Sequence, residues 1–214
     1  AGSGKSTVAK KIANSLGYVY IDTGAMYRSV TYFGQKQNDG EGIDVMQLVD
    51  SLSQLKIHFE NSEQGQQTFL NDENVTVKIR EAKVNNAVSD IASVKEIRDF
   101  LVTQQRQMGK DKGIVMDGRD IGTVVFPEAE SKFFLTASPE IRAKRRHKEQ
   151  LEAGNLEPYE AVLENVKARD HQDSTRLINP LRKAESAVEI EVSNLSIDEV
   201  YEQMMNQIKG VIGV

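Results

Sequence analysis

Residues 1–7 read Ala1-Gly2-Ser3-Gly4-Lys5-Ser6-Thr7, and a helical pattern follows at once: Val8, Ile12, Ala13 and Leu16 recur at spacings of three and four before Gly17. A glycine-rich turn that ends in Gly-Lys-Ser and runs into a helix is the second half of the phosphate-binding loop G-x-x-x-x-G-K-[ST]. Glycines let a backbone approach phosphate closely and aim consecutive N–H groups at it. The helix start adds its own positive end. Lys5 is placed to reach the outer phosphates of a nucleoside triphosphate, and the Ser6 hydroxyl to hold Mg²⁺. The competing reading of the same letters is a flexible Gly/Ser tail. The first glycine of the motif and the strand that feeds it are expected ahead of Ala1, on the order of 5–10 residues.

Working outward, 214 residues suffice for one domain with subdomains or for two small ones. The 27 basic and 32 acidic residues give a net charge of −5, which argues against a surface that coats a nucleic acid polymer. No apolar run approaches the ~20 residues needed to cross a bilayer, and no signal peptide is visible. With no cysteine, disulfides, thiolate chemistry and cysteine-ligated zinc are excluded. His58, His147 and His171 are too scattered for a metal-ligand spacing. A cytoplasmic protein without membrane attachment is expected.

Tyr18–Ile21, Gly113–Asp117, Lys132–Thr136 and Val188–Val192 are short apolar or alternating runs that read as strands, two of them ending on an aspartate. Helices are expected over Gly24–Gln37, Ile43–Leu52, Asn85–Ala92, Ser93–Met108, Pro139–Ala153, Pro158–Thr175 and Ser196–Lys209. Between them, Leu55–Phe59, Gln67–Leu70 and Val75–Val77 alternate and are separated by turn-rich segments, which predicts a small antiparallel meander. Strands alternating with helices give a parallel α/β sheet. Ligands in such folds bind outside the carboxyl ends of the strands, so the opening loop, Asp22-Thr23-Gly24 and Asp117-Gly118-Arg119-Asp120 are expected on one rim.

Four groups carry chemistry. In Asp22-Thr23-Gly24-Ala25-Met26-Tyr27-Arg28, an arginine stands one turn into a helix that follows a strand; its guanidinium suits a second phosphate. In Asp117-Gly118-Arg119-Asp120-Ile121-Gly122-Thr123, Asp117 holds the place of the strand-end carboxylate that supports Mg²⁺, directly or through water. Arg119 there suits an acceptor phosphate, and Asp120 can accept from a base amino group. Arg142, Arg145 and Arg146 share one helix face beside Lys144, and the pair of helices breaks at Ala153-Gly154-Asn155 like a lid. Arg169, Asp173 and Arg176 follow at helical spacing. Each has a bland counterpart: a surface arginine, a turn of Asp–Arg pairs, a solvated basic face and an intrahelical salt-bridge ladder.

These groups, in this order, resemble the bacterial cytidylate kinases, which are nucleoside monophosphate kinases. The resemblance covers essentially the whole chain, meander included. AGSGKST alone is common among NTPases; DTGAMYR and DGRDIGTVVFP together, with RAKRR and the ARD–D–R pattern, are far more specific. The resemblance implies a P-loop NTPase-type α/β fold, with a parallel sheet flanked by helices, an NMP-binding insert holding a small antiparallel sheet, and a helical lid. Residues 1–38, 84–137 and 177–214 would form the ATP-binding core, 39–83 the insert and 138–176 the lid. It implies phosphoryl transfer from ATP to CMP or dCMP with Mg²⁺, in a cytoplasmic monomer.

Residue by residue, it places Ala1, Gly2, Ser3, Gly4, Lys5, Ser6 and Thr7 on ATP, and Ser6 and Asp117 on the metal. Arg28 and Arg119 would hold the CMP phosphate. Thr23, Ser89, Arg98, Asp120 and Arg176 would surround cytosine, and Arg169 and Asp173 would meet the sugar. Arg142, Arg145 and Arg146 would close over ATP; with Lys5 and Arg119 they form the expected catalytic set. Ser89 and Arg98 come from the resemblance alone. One departure is Glu191, where an aspartate is common in relatives. The rivals are another small-molecule kinase, such as a guanylate, thymidylate or shikimate kinase, and a nucleotide-binding switch or module. A GTPase switch needs a guanine-reading [NT]-K-x-D, which the sequence lacks; Asp39-Gly40-Glu41-Gly42 matches only D-x-x-G.

Overall fold

The computed structural model describes residues 2–40, 42–62, 65–152, 154 and 156–213. Expectations on Ala1, on Glu41 in the first break, on Glu63-Gln64 in the meander and on Ala153 and Asn155 at the lid hinge lie outside the described residues.

Along the chain run α1 (Lys5–Leu16), β1 (Val19–Asp22), α2 (Thr23–Gln37), α3 (Val45–Asp50), β2 (Ile57–Ser62), β3 (Gly65–Leu70), β4 (Glu73–Asn74), α4 (Ala82–Ile91) and α5 (Lys95–Met108). There follow β5 (Ile114–Asp117), β6 (Phe133–Thr136), α6 (Pro139–Glu152), α7 (Tyr159–Thr175), β7 (Val188–Glu191) and α8 (Ile197–Ile212). The chain forms two compact units, Ala1–Tyr20 with Gly113–Val214, and Ile21–Lys112. It leaves the first within β1 and returns just ahead of β5. By packing, residues 21–38 and 84–112 group with the meander.

In the first unit, α1 is apolar on two sides. Val8 and Ile12 pack with Val200, Met204, Met205 and Ile208 of α8 and with Ile190 and Val192 of the β7 end, backed by Phe133 and Leu135. Ala9 and Ala13 face Tyr20 and Val115, where small side chains let the helix approach the strands. Each fully buried aliphatic side chain here contributes about 1.5–3 kcal/mol relative to exposure. The start of β1 meets the residue ahead of β5 through the Val19 N–H, which donates to the Gly113 carbonyl at 2.9 Å. β6 and β7 pair in parallel, Phe133 opposite Val188 through Thr136 opposite Glu191, and Val192 extends the ladder onto Thr136 at 2.7 Å. Ser196 and Glu199 form a reciprocal capping box that opens α8. Helices α6 and α7 pack as a hairpin through Ala143, Val162 and Val166.

In the second unit, Asp22 caps α2, accepting from the Ala25 N–H at 2.8 Å, and Asp44 caps α3 in the same way. A Cβ on Gly34 would lie 2.9 Å from Ile43, so the glycine is what lets α2 come this close to the approach to α3. β2 and β3 pair antiparallel from Ile57 opposite Leu70 to Ser62 opposite Gly65.

The third expected meander strand is displaced. The ladder with β3 is made by Glu73 and Asn74, and of the expected Val75–Val77 the Val75 N–H still donates to the Thr68 carbonyl at 2.9 Å. The Thr76 hydroxyl accepts from the Thr68 N–H at 2.8 Å, so a side chain takes the place of a ladder bond and ends the strand. The helix expected over Ile43–Leu52 is also shorter, since its last part tightens into a 3₁₀ turn at Leu52–Gln54.

Candidate active site

The phosphate loop has the backbone its glycines predict. Gly2 and Gly4 sit at φ +74° and +79°, a region L-residues rarely adopt. Space forbids a side chain as well: a Cβ on Gly2 would stand 2.6 Å from the Arg142 carbonyl, and one on Gly4 would stand 3.0 Å from Ile197. No side chain caps α1, which leaves its first N–H groups and positive end for an anion. Ser3 is buried and Lys5 half-buried.

Beside the loop, the Ser6 hydroxyl donates to Asp117 Oδ2 at 2.6 Å and the Tyr20 hydroxyl to Asp117 Oδ1 at 2.7 Å. The strand-end carboxylate is therefore held against the first turn of α1, as its sequence position predicts. Past it, residues 121–125 form a π-helical turn, with the Phe126 N–H donating to the Ile121 carbonyl at 2.7 Å. The turn buries Asp120 at 5% exposure. No sequence pattern announces this turn.

Next lies a knot of arginines around Asp173. Arg119 Nε donates to Asp173 Oδ2 at 2.7 Å, and Arg176 Nη1 stands 3.7 Å from Oδ1. Asp173 is 6% exposed. Burial alone would raise its pKa; the charges of Arg119, Arg169 and Arg176 outweigh that and hold it below the ordinary carboxylate value. Arg146 of α6 is drawn below its ordinary value, first by burial and further by the like charge of Arg119, against the pull of Glu157 and Glu149. Three guanidinium groups, those of Arg119, Arg169 and Arg176, thus act on the buried Asp173 carboxylate, and Arg146 lies within reach of the Arg119 charge. Arg176 stands just past the end of α7 in extended backbone, so helical spacing is not what brings it to Asp173.

The three arginines expected to act together on α6 have different surroundings. Arg146 belongs to the knot. Arg145 donates to the Val192 and Ser193 carbonyls at 2.7 and 3.3 Å, on the loop after β7. In that loop Ser193 is held by Glu191, 2.5 Å from its hydroxyl. The Arg142 guanidinium is turned onto Asp170, at 2.9 and 2.5 Å, and onto the Ala137 carbonyl, at 2.9 Å.

In the second unit, Arg28 folds back onto its own helix cap, with Nη2 3.2 Å from Asp22 Oδ2. Arg80, unmarked by any motif, approaches the same oxygen at 3.6 Å. A Cβ on Gly24 would stand 3.1 Å from Arg28 Nη1, so the glycine leaves the guanidinium room. Thr23 is buried and Ser89 half-buried. Arg98 is 1% exposed. Its Nη1 donates to the Ala92 carbonyl at 2.9 Å, and its guanidinium stands 5.4 Å from the Tyr27 ring centre. A signal for Arg98 was present: it shares the apolar face of α5 with Leu101, Val102 and Gln105, and a charge in an apolar stripe marks a buried polar role.

The family model described as cytidylate kinase matches residues 1–210. The chain belongs to the cytidylate kinase family. It is 47% identical to a cytidylate kinase of Bacteroides thetaiotaomicron over 98% of this chain and 93% of that one. It is 49% identical to those of Parabacteroides distasonis, over 99% and 94% of the two chains, and of Anoxybacillus flavithermus, over 96% and 91%. The cytidylate kinase family assignment agrees with the α/β architecture, the paired strands flanked by helices and the small antiparallel sheet.

Proposed function

We propose that the protein transfers the γ-phosphoryl group of ATP to CMP or dCMP, giving ADP and CDP or dCDP. The observation that carries this reading is the knot in which Arg119, Arg169 and Arg176 surround Asp173, with Arg146 beside Arg119. Several guanidinium groups gathered in partly buried positions around one carboxylate suit a polyanion. The relatives named cytidylate kinase, nearly half identical over almost their full length, give the substrate class.

The acceptor is already an anion, so no strong base is needed to expose a nucleophile. The protein's task is to align two polyanions and offset their repulsion. A CMP phosphate oxygen forms a bond to the γ-phosphorus while the bond from that phosphorus to the bridging oxygen breaks; ADP leaves with the electron pair. Residues 2–7 hold the ATP phosphates, with Lys5 on the outer ones, and Arg145 and Arg146 close from the α6–α7 lid. Arg28 and Arg119 hold the CMP phosphate, exchanging their carboxylates Asp22 and Asp173 for it. Arg169 and Asp173 meet the sugar; Thr23, Ser89, Arg98, Asp120 and Arg176 surround the base. Asp120 accepts from the cytosine amino group and would face the uracil carbonyl unpaired, which disfavours UMP. In this reading residues 39–83 are the acceptor-side insert and 138–176 the lid, on a core of 1–38, 84–137 and 177–214.

Magnesium fits the donor set. A hydroxyl oxygen and a carboxylate oxygen 2.6 Å apart, on Ser6 and Asp117, are hard ligands of the kind Mg²⁺ takes alongside waters and phosphates. Bound there, the ion would offset negative charge on the phosphate groups. No helix among the described residues is long and apolar enough to cross a membrane; a cytoplasmic monomer completes the reading.

The test is ADP release from ATP and Mg²⁺ with CMP, dCMP, UMP, AMP, GMP or no acceptor. Turnover concentrated on CMP and dCMP is expected. Hydrolysis independent of acceptor, or preference for a purine, would sink the reading. In the same assay, Asp120→Ala is expected to lower the preference for CMP over UMP by about 10²-fold with ATP affinity retained; equal losses on both acceptors would remove Asp120 from base selection.

A further inference from the structure

We infer that Arg142 is a positioning residue rather than a ligand of the triphosphate, and that it works through Asp170 to set the two lid helices against each other. The inference rests on the kinase reading above and revises one residue's role within it. Arg142 is 9% exposed. Its guanidinium meets the Asp170 carboxylate as a fork on a fork, Nη1 to Oδ1 at 2.9 Å and Nη2 to Oδ2 at 2.5 Å, while Nε donates to the Ala137 carbonyl at 2.9 Å. Bidentate pairing of this kind fixes angle as well as distance. A guanidinium so committed would have to break a partly buried, two-point ion pair before it could turn to a phosphate, leaving Asp170 without this partner.

The position of the pair gives it a use. Arg142 lies in the first turn of α6 and Asp170 in the second half of α7, so the bond crosses the stem of the helical hairpin. Arg145 and Arg146 follow Arg142 within one turn; Arg169 precedes Asp170, and Asp173 lies three residues beyond it. The pair therefore sets the register of the two cationic faces. The same residue also touches the phosphate loop, since its carbonyl occupies the space a Cβ on Gly2 would need, 2.6 Å away. One residue thus joins the loop, the end of β6 and both lid helices. Small errors in such a frame misplace reacting groups and lower turnover more than binding.

The test compares Asp170→Asn, Arg142→Met and the double variant in the full-length enzyme. It reads kcat with CMP, affinity for a non-hydrolysable ATP analogue with Mg²⁺, and the melting midpoint. Each single variant is expected to lower kcat about 10–30-fold with analogue affinity within about twofold of wild type. The double variant should be no worse than either single one, since both remove the same bond. Asp170→Glu should restore part of kcat by keeping a carboxylate. If Arg142→Met fails to fold, Arg142→Lys takes its place. Arg142 variants that lose about tenfold or more in analogue affinity while Asp170→Asn keeps wild-type kcat would return Arg142 to the triphosphate. Additive losses, or a lower midpoint with kcat of the folded enzyme unchanged, would also overturn the inference. Wild-type protein that does not turn over CMP fails the kinase reading instead, and that control is read first.

Discussion

Two carboxylates in this protein each gather several cations, and they do so for different ends. Asp173 lies in the first unit among Arg119, Arg169 and Arg176. Glu73 lies in the second, 2.8 Å from Lys36 of α2 and 2.5 Å from Lys78, with the Tyr32 hydroxyl at 3.1 Å. Both are held more acidic than usual. Around Asp173 the cations are planar arginines, shielded from water and in excess. Around Glu73 they are lysines with about half their side chains in solvent. Lysines tether the start of β4 to α2 at little desolvation cost, and the solvent around them screens the positive charge left over. Arginines in excess and out of water are costly to hold together, and the cost is offset when an anion arrives. A cluster of opposite charges is thus read by three features: which cation, how buried, and how far the charges fail to cancel.

The largest effect should come from Arg119, which touches Asp173 and, in the proposed reaction, holds the CMP phosphate. Arg119→Met is expected to lower kcat/KM for CMP by about 10³-fold, or about 4 kcal/mol of transition-state stabilisation, with ATP-analogue affinity changed far less. An unchanged CMP titration would remove Arg119 from the site. Asp173→Asn removes the carboxylate that Arg119 and Arg176 share and leaves their charges less well balanced. A stability loss of about 3 kcal/mol is expected, partly recovered by CMP or inorganic phosphate, because either anion would neutralise the knot. A loss that phosphate does not relieve would mean the knot has no anion-binding character.

How far the sequence foretold these two clusters follows from the range of each interaction. Elements were legible because periods of 3.6 and 2 are local: α1, α5 and α8 and the β2–β3 hairpin lie within a few residues of their expected ends. The phosphate loop and the strand-end Asp117 were legible because backbone geometry demands glycine and a fixed place after a strand. Side-chain partners were not. Arg142, Arg145 and Arg146 share a helix face as their spacing predicts, yet one meets Asp170, 28 residues on, another the loop after β7, and the third the Asp173 knot. Spacing fixes the face of a helix; the partner depends on how distant segments pack. Arg80 beside Asp22 and the π turn that buries Asp120 were missed for the same reason. Arg98 was within reach, as a charge inside an apolar stripe, but a helix-period reading that counts only apolar positions passes over it.

The smallest effect is expected at Glu73, and it is the control on the comparison. Glu73→Gln keeps the size and a hydrogen-bonding oxygen but removes the charge between two exposed lysines. The melting midpoint should move by no more than about 3 °C, and kcat with CMP should stay within about twofold. The pH dependence has a definite sign. Lys36 and Lys78 hold the Glu73 carboxyl at about 2, below its ordinary 4.5. Above pH 4.5 the carboxylate is charged whether the chain is folded or unfolded, so its contribution to stability is complete. As pH falls from 4.5 toward 2, the unfolded chain takes up a proton that the folded one refuses, and the contribution is lost. Asp173, also depressed, loses its share in the same direction, below its ordinary 3.8. Wild type and Glu73→Gln should therefore differ near neutral pH and converge in acid, and added salt should narrow the gap through the exposed lysines. A gap that persists at pH 2, or a large loss of turnover in Glu73→Gln, would mean that Glu73 does more than tether β4 and that the division between the two clusters is drawn in the wrong place.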